Sequence, residues 1–376
     1  MSFGILSTYP PTQCGLATFS YALMDALRSA TDRVGVVSVV DAPEPSARPE
    51  VVHEWVRAEA GGWSGAANAL NSHDVAIIQH EYGIFGGRDG ADVLAVARAI
   101  WVPAVVVLHT VLVTPTERQR AIVEELGRRC TRIVVMTETA RQRLVAHYSV
   151  DPTTIRVIPH GAPDNRSAPS DLRLRGANPV ILTWGLLGEG KGIEWAIAAL
   201  ALLRDLDPAP HYRIVGETHP RVLERQGEQY RESLVRRAAD LAVADSVHFD
   251  ARYLDTSELQ RIVHEADVVL LPYDSVEQVT SGVLIEAVTA GKPVVSTGFP
   301  HARELLSGGA GLVVDRQDPQ AIAAALRRVL TEPGLADRMA AEARRLAPGL
   351  LWSTVADQYR EVADEALSVV SVLASA

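Results

Sequence analysis

The sequence predicts an α/β protein made of two doubly wound parallel sheets. Three observations carry this. Short apolar runs alternate with longer amphipathic stretches almost throughout the 376 residues. Several runs, such as 104–110 and 268–272, are nearly continuous Val, Ile and Leu, the composition of strands buried on both faces. The alternation pauses once, at the polar, turn-rich segment 164–171, and then restarts.

In the first half, strands are predicted at 4–7, 34–40, 75–80, 104–110, 132–137 and 155–160. Helical stretches at 18–28, 91–100, 117–129 and 138–147 separate them, giving β-α repeated about six times. After the pause, strands are predicted at 179–184, 212–215, 247–249, 268–272, 293–297 and 311–314, with helices between. A last helix, 351–368, follows a break at Pro348-Gly349. The chain therefore divides into an N-terminal domain at 1–165, a second domain at 175–350 and a terminal helix within 351–376. Two such halves imply a cleft between them, with ligands beyond the carboxyl ends of the strands.

Composition narrows the function classes. With 36 basic and 46 acidic residues the formal net charge is −10, which argues against a general nucleic-acid binder. An apolar share of 47% is that of a globular chain. No apolar run approaches the roughly 18 residues that span a bilayer. The start, Met1-Ser2-Phe3-Gly4-Ile5-Leu6, has no basic region and reads straight into a strand. Cys14 and Cys130 are too few for a disulfide framework, so a cytoplasmic protein is expected. Only two of the 36 basic residues are lysines, Lys191 and Lys292; the rest are arginines. A lysine that persists against that background is a candidate for chemistry that arginine cannot do.

Three glycine-bearing loops follow strands and open helices. The first, Pro10 to Thr18, centres on Gly15, which would let helix N-terminal amides face an anion or a sugar; taken alone, a tight β-α turn is the favoured reading. The second, Gly185-Leu186-Leu187-Gly188-Glu189-Gly190-Lys191-Gly192, nearly matches a P-loop. Gly192 stands where that loop has its metal-binding hydroxyl, which counts against an NTPase, whereas Lys191 still suits a diphosphate. The third runs from Asp274 to Ala287. Thr280, Ser281 and Gly282 would supply hydroxyls and amides at a helix start. Glu286, one turn further on an otherwise apolar helix, needs a ribose diol or an arginine as partner. Lys292 reads as a solvated turn. His80, His109 and His160 fall at strand ends, expected along one edge of the first sheet; no short spacing among them supports a metal site.

In this order the motifs resemble glycosyltransferase family 4, the retaining group 1 enzymes. The resemblance rests on the N-terminal glycine loop, the strand-end histidine, Ile158-Pro159-His160-Gly161 and the Gly185 to Gly192 loop. It continues through Leu271-Pro272-Tyr273-Asp274, Gln278 to Glu286, Ala290-Gly291-Lys292-Pro293 and the closing Trp352-Ser353 helix. It implies a GT-B fold, two Rossmann-like domains facing across a cleft, and a closing helix that crosses back to the first domain. It implies a nucleotide-sugar donor of the GDP-mannose or UDP-glucose type, held by Gly15, Gly185, Lys191, Gln278, Thr280, Ser281, Gly282 and Glu286. His109 would lie at the reacting centre and, with Lys191, carry catalysis; His80 and Glu81 would lie toward the acceptor. The acceptor, a glycan, lipid or small molecule, is not legible. The family usually has Glu at the Gln278 position and Arg at the Leu186 position. The expected reaction is hexosyl transfer to a hydroxyl with retention, by same-face attack, without metal or other cofactor. A nucleotide-sugar 2-epimerase and a non-catalytic bilobal sugar-binding protein are the alternatives.

Overall fold

The computed structural model describes residues 1–28, 31–43, 48–57, 59–165 and 178–375. The chain forms two compact units, Met1–Gly161 with Trp352–Ala376, and Ala162–Leu351. Residues 166–171 of the turn-rich pause, and 175–177 at the start of the second predicted domain, lie outside the described residues.

The first unit holds strands β1 (Ser2–Ser7), β2 (Arg33–Val40), β3 (Val51–Val56), β4 (Val75–His80), β5 (Ala104–Leu108), β6 (Arg132–Val135) and β7 (Ile155–Val157). They pair in the order β3-β2-β1-β4-β5-β6-β7, all parallel. Helices α1 (Gly15–Leu27), α2 (Trp63–Leu70), α3 (Val93–Ala99), α4 (Glu117–Arg129) and α5 (Glu138–His147) make the crossovers. Side-chain chemistry starts two of them: Thr116 and Gln119 close a capping box on α4, and Thr137 caps α5. β3 and α2 are additions to the sequence reading. β3 is an edge strand of mixed burial, with Trp55 inside and Val52 half exposed, so it lacks the apolar run that marks its neighbours.

The second unit holds β8 (Val180–Trp184), β9 (His211–Val215), β10 (Val247–Asp250), β11 (Val268–Leu271), β12 (Val294–Thr297) and β13 (Gly311–Val314). The order is β10-β9-β8-β11-β12-β13, again all parallel. Among the described residues eight helices surround it: α6 (Ile193–Ala201), α7 (Pro220–Gln226), α8 (Gln229–Asp240), α9 (Thr256–Glu265), α10 (Gly282–Thr289), α11 (Pro300–Leu305), α12 (Pro319–Thr331) and α13 (Leu335–Leu346). Strand parity builds two cores. Ile181, Ile214 and Leu270 pack with α6, α8 and α12, while Leu182, Val215 and Leu271 pack with α10 and its neighbours.

The last helix, α14 (Trp352–Ser375), belongs to the first unit. Val355, Ala356 and Tyr359 share a core with Phe19, Leu23, Ile77 and Val107. The Arg360 guanidinium donates to Asp32 at 2.8 Å and to the carbonyls of Ala26 and Leu27, so it closes the C-terminus of α1. Gly161 lies against Trp352 so closely that a Cβ there would stand 2.3 Å from the indole. Among the described residues, no helix is long and apolar enough to cross a membrane.

Candidate functional site

In each sheet the strand order reverses at one place, between β1 and β4 and between β8 and β11. Such a switch point leaves a crevice at the carboxyl ends of the strands, where open α/β sheets hold ligands. The loops singled out by sequence are the ones that leave these strands.

In the second unit, Gly185 follows β8 and donates to the Val215 carbonyl at 3.0 Å. The loop then turns back over β11: the Asp274 amide donates to the Gly190 carbonyl at 2.9 Å, and the Trp195 indole to Asp274 Oδ2 at 3.2 Å. Lys191 is thereby held with Nζ 4.4 Å from the centroid of the Tyr273 ring. Among the described residues no carboxylate pairs with it. Burial alone pulls its pKa down to about 8, as expected for a desolvated ammonium. Gly192 has φ +65°, and a Cβ on it would stand 1.8 Å from the Pro272 carbonyl oxygen. That backbone excludes a Ser or Thr, so the missing P-loop hydroxyl has a steric cause.

The loop after β11 leads into α10. Gln278 Nε2 donates to the Thr280 carbonyl at 3.0 Å, folding the side chain onto its own turn. The Thr280 hydroxyl is buried without a partner among the described residues. Ser281 caps α10 through its hydroxyl to the Leu284 amide, and its own amide donates to His301 Nδ1 at 2.9 Å. Both polar groups of Ser281 are therefore engaged within the chain, which leaves Gly282 and Val283 as the helix-start amides. His301, 3% exposed, was not legible as a site residue, because a contact across twenty positions has no local signal. Glu286 accepts from the Trp184 indole at 3.0 Å through Oε2. Burial, opposed by that hydrogen bond, raises its pKa to about 7.

Lys292 departs from its expected place in a solvated turn. It is 8% exposed, and Nζ donates to the carbonyls of His264 at 2.7 Å and Ala266 at 2.8 Å. It closes the C-terminus of α9, where a cation also meets the negative end of the helix dipole.

In the first unit, Gly15 opens α1 behind Cys14, whose Sγ accepts from the Ala17 amide. No atom lies within 4 Å of where a Gly15 Cβ would sit. His109 follows β5 on the α1 face, its ring edge-on to Phe19 at 4.8 Å and its Nε2 2.7 Å from Gln79 Oε1. Phe19 also meets His160 at 4.9 Å and Trp352 at 5.0 Å. Burial first, then the neighbouring His160 and His80, lowers His109 to a pKa of about 3. His80 does not join this group. One position along β4 from Gln79, it faces the other side of the sheet, fully buried against Tyr82, with both ring nitrogens unpartnered among the described residues. Burial lowers it to about 4. Glu81, at the strand end, accepts from the Thr110 hydroxyl at 2.6 Å and the Tyr82 amide at 2.9 Å.

The model of the Glycosyltransferase Family 4 matches residues 14–166, and that of Glycosyl transferases group 1 matches 164–346. A D-inositol 3-phosphate glycosyltransferase of Corynebacterium glutamicum is 30% identical over 270 residues, 68% of this chain and 62% of the relative. This chain thus spans less than two thirds of that protein's length. A glycogen synthase of Mycobacterium tuberculosis is 27% identical over 319 residues, 84% of this chain and 68% of the relative. Anabaena HepE, solved in complex with UDP, superposes with a TM-score of 0.78 at 19% identity, over 97% of this chain and 100% of HepE. At that identity HepE speaks for the fold alone, which is GT-B, two parallel-sheet α/β domains. The two family models meet at the junction of the units and together run from residue 14 to 346, and the chain belongs to the group 1 glycosyltransferases of glycosyltransferase family 4.

Proposed function

We propose that this chain moves a hexose from a nucleotide-diphosphate sugar to a hydroxyl-bearing acceptor, with retention and without a metal ion. The observation that carries the reading is Lys191, a half-buried ammonium with no carboxylate partner among the described residues, in a glycine loop at the switch point of the second sheet. A lone desolvated cation is costly unless an anion comes to it, and a diphosphate is such an anion. The start of α10 adds the Gly282 and Val283 amides. Glu286, with one oxygen taken by Trp184, keeps the other for a ribose diol. Gly185, Gln278 and Thr280 complete the donor side, and Gly15 lies in the open loop of the first unit.

Cleaving the sugar–phosphate bond puts negative charge on the leaving diphosphate and positive charge on the sugar. Lys191 and the helix amides stabilise the first, as preorganised donors that need no rearrangement. Attack from the same face, with the departing phosphate taking the acceptor proton, then gives retention. In this reading the neutral His109 serves the donor sugar, and Glu81 serves the acceptor. The donor is of the UDP-glucose or GDP-mannose type. A relative named D-inositol 3-phosphate glycosyltransferase, and HepE, solved with UDP and with UDP-glucose, are in keeping with this class of reaction.

The test is a thermal-shift screen of UDP, GDP, ADP and dTDP in EDTA, followed by product analysis with the matching sugar nucleotide. One diphosphate should raise Tm in EDTA, and sugar should pass to an added acceptor. Binding only with Mg²⁺ or Mn²⁺ restored would refute metal independence. An epimerised sugar formed without acceptor, free or still on the nucleotide, would identify a 2-epimerase instead.

A further inference from the structure

Gln79 is an anomaly on an otherwise apolar face of β4. It is 0% exposed, on the face of β4 that carries Val75 and Ile77 into the core shared by α1 and α14. A primary amide there is costly unless it is satisfied. Gln79 is only half satisfied: Oε1 lies 2.7 Å from His109 Nε2, and Nε2 of the amide has no partner among the described residues. Packing alone would be better served by Met or Leu at this position.

What the amide does is visible in the ring it touches. β4 and β5 pair with Gln79 opposite Val107, and the His109 amide donates to the His80 carbonyl at 3.1 Å, so the His109 backbone is pinned to the same strand. Phe19 holds the ring edge-on from α1. A neutral imidazole carries one N–H, and the choice of nitrogen is set by the hydrogen bond that one of them makes. With a carbonyl oxygen at Nε2, the proton sits on Nε2. Nδ1 then keeps its lone pair and makes no hydrogen bond among the described residues.

We propose that Gln79 is a positioning residue: it fixes His109 as the Nε2–H tautomer and so offers Nδ1 as an acceptor to a hydroxyl of the bound substrate. The inference rests on the proposed transfer reaction for its second half, and on geometry alone for its first. An unpaired amide N–H₂ in a core is then retained because a carbonyl is needed at that spot.

The experiment has two arms. In the first, ¹⁵N-histidine NMR of the whole chain reads the His109 nitrogens. The expected result is a pyrrole-type Nε2 and a pyridine-type Nδ1, with mixed tautomers in Gln79→Met. A pyridine-type Nε2 in the parent overturns the proposal. In the second arm, Gln79→Met, His109→Ala and the double variant are compared for kcat/KM, Tm and diphosphate affinity. Gln79→Met should lower kcat/KM by about three- to tenfold, the range of one neutral hydrogen bond. Tm should not fall, and diphosphate affinity should stay unchanged. In the His109→Ala background the Gln79 change should have no further effect. If the two changes multiply, or if Tm falls with turnover, Gln79 is merely structural and the proposal is wrong. If no donor is turned over by the parent, the proposed function falls, while the NMR arm still decides the tautomer.

Discussion

Lys191→Met separates what the ammonium does for the fold from what it does for a ligand. The substitution keeps the stem over Tyr273 and removes the charge. Burial lowers the lysine from its ordinary 10.5 to about 8, so the folded chain releases this proton more readily than the unfolded one. The cost of the buried charge is therefore present in full below about pH 8 and fades as pH rises from there to 10.5. Its upper bound is on the order of 3 kcal/mol, offset in part by the cation–π contact. At pH 7 the Met variant should thus melt no lower than the parent, and the gap should close by pH 10. Diphosphate affinity should move the opposite way. A charge-assisted contact of about 1.5–3 kcal/mol corresponds to a ten- to hundredfold weaker Kd. Lys191→Arg should not restore it, because a longer, planar guanidinium replaces a compact point charge. Calorimetry with a nucleoside and its diphosphate, beside melting curves at pH 7 and 10, makes the comparison. If Met weakens the bare nucleoside as much as the diphosphate, or if Tm at pH 7 drops by several degrees, the ammonium is a structural element and the phosphate role is refuted.

Glu286 and Lys191 together set a pH window. Diphosphate affinity should rise as Glu286 ionises through about 7 and decline as Lys191 loses its proton above about 8; a flat titration from pH 6 to 9 would contradict it. Glu286→Gln should weaken nucleoside and diphosphate alike. It should also remove a loss of stability between pH 4.5 and 7, since the folded carboxyl holds its proton more tightly than the unfolded one. Lys292→Met should cost about 2–4 kcal/mol in urea unfolding, from the His264 and Ala266 carbonyls at the end of α9 left without a donor, while nucleotide affinity stays put; an unchanged midpoint would show those carbonyls to be solvated. Gly192→Ser restores the P-loop spacing but forces a Cβ onto the Pro272 carbonyl, so the second unit should be destabilised; a variant as stable as the parent would disprove the steric account.

The sheets were legible because central parallel strands covered on both faces leave nearly unbroken apolar runs, as in β5 and β11. β3 escaped because His53 and Glu54 interrupt its apolar residues. Loops at the switch points were legible for the same local reason, a glycine between a strand and a helix. Contacts that close over long separations were not. Nothing near Lys292 announces that its ammonium will reach the end of α9, and nothing near Ser281 announces His301. His80 and Gln79 show a subtler limit. Their opposite orientations follow from strand parity, but which face carries α1 depends on topology, so three strand-end histidines looked equivalent when only two share the aromatic group around Phe19.

The return of α14 to the first unit has a consequence for biosynthesis. Residues 162–351 are one uninterrupted stretch, so that unit can be completed as soon as its own chain has emerged. The other unit is split. Its sheet is made first, yet Phe19, Ile77 and Val107 lack their cover until Val355 and Tyr359 have been translated. The earliest part of the protein to be made is thus the last to be finished, and an apolar face must wait, uncovered, through the synthesis of 190 intervening residues. A ribosome stalled or released before residue 352 leaves a sticky half-domain rather than a smaller folded one.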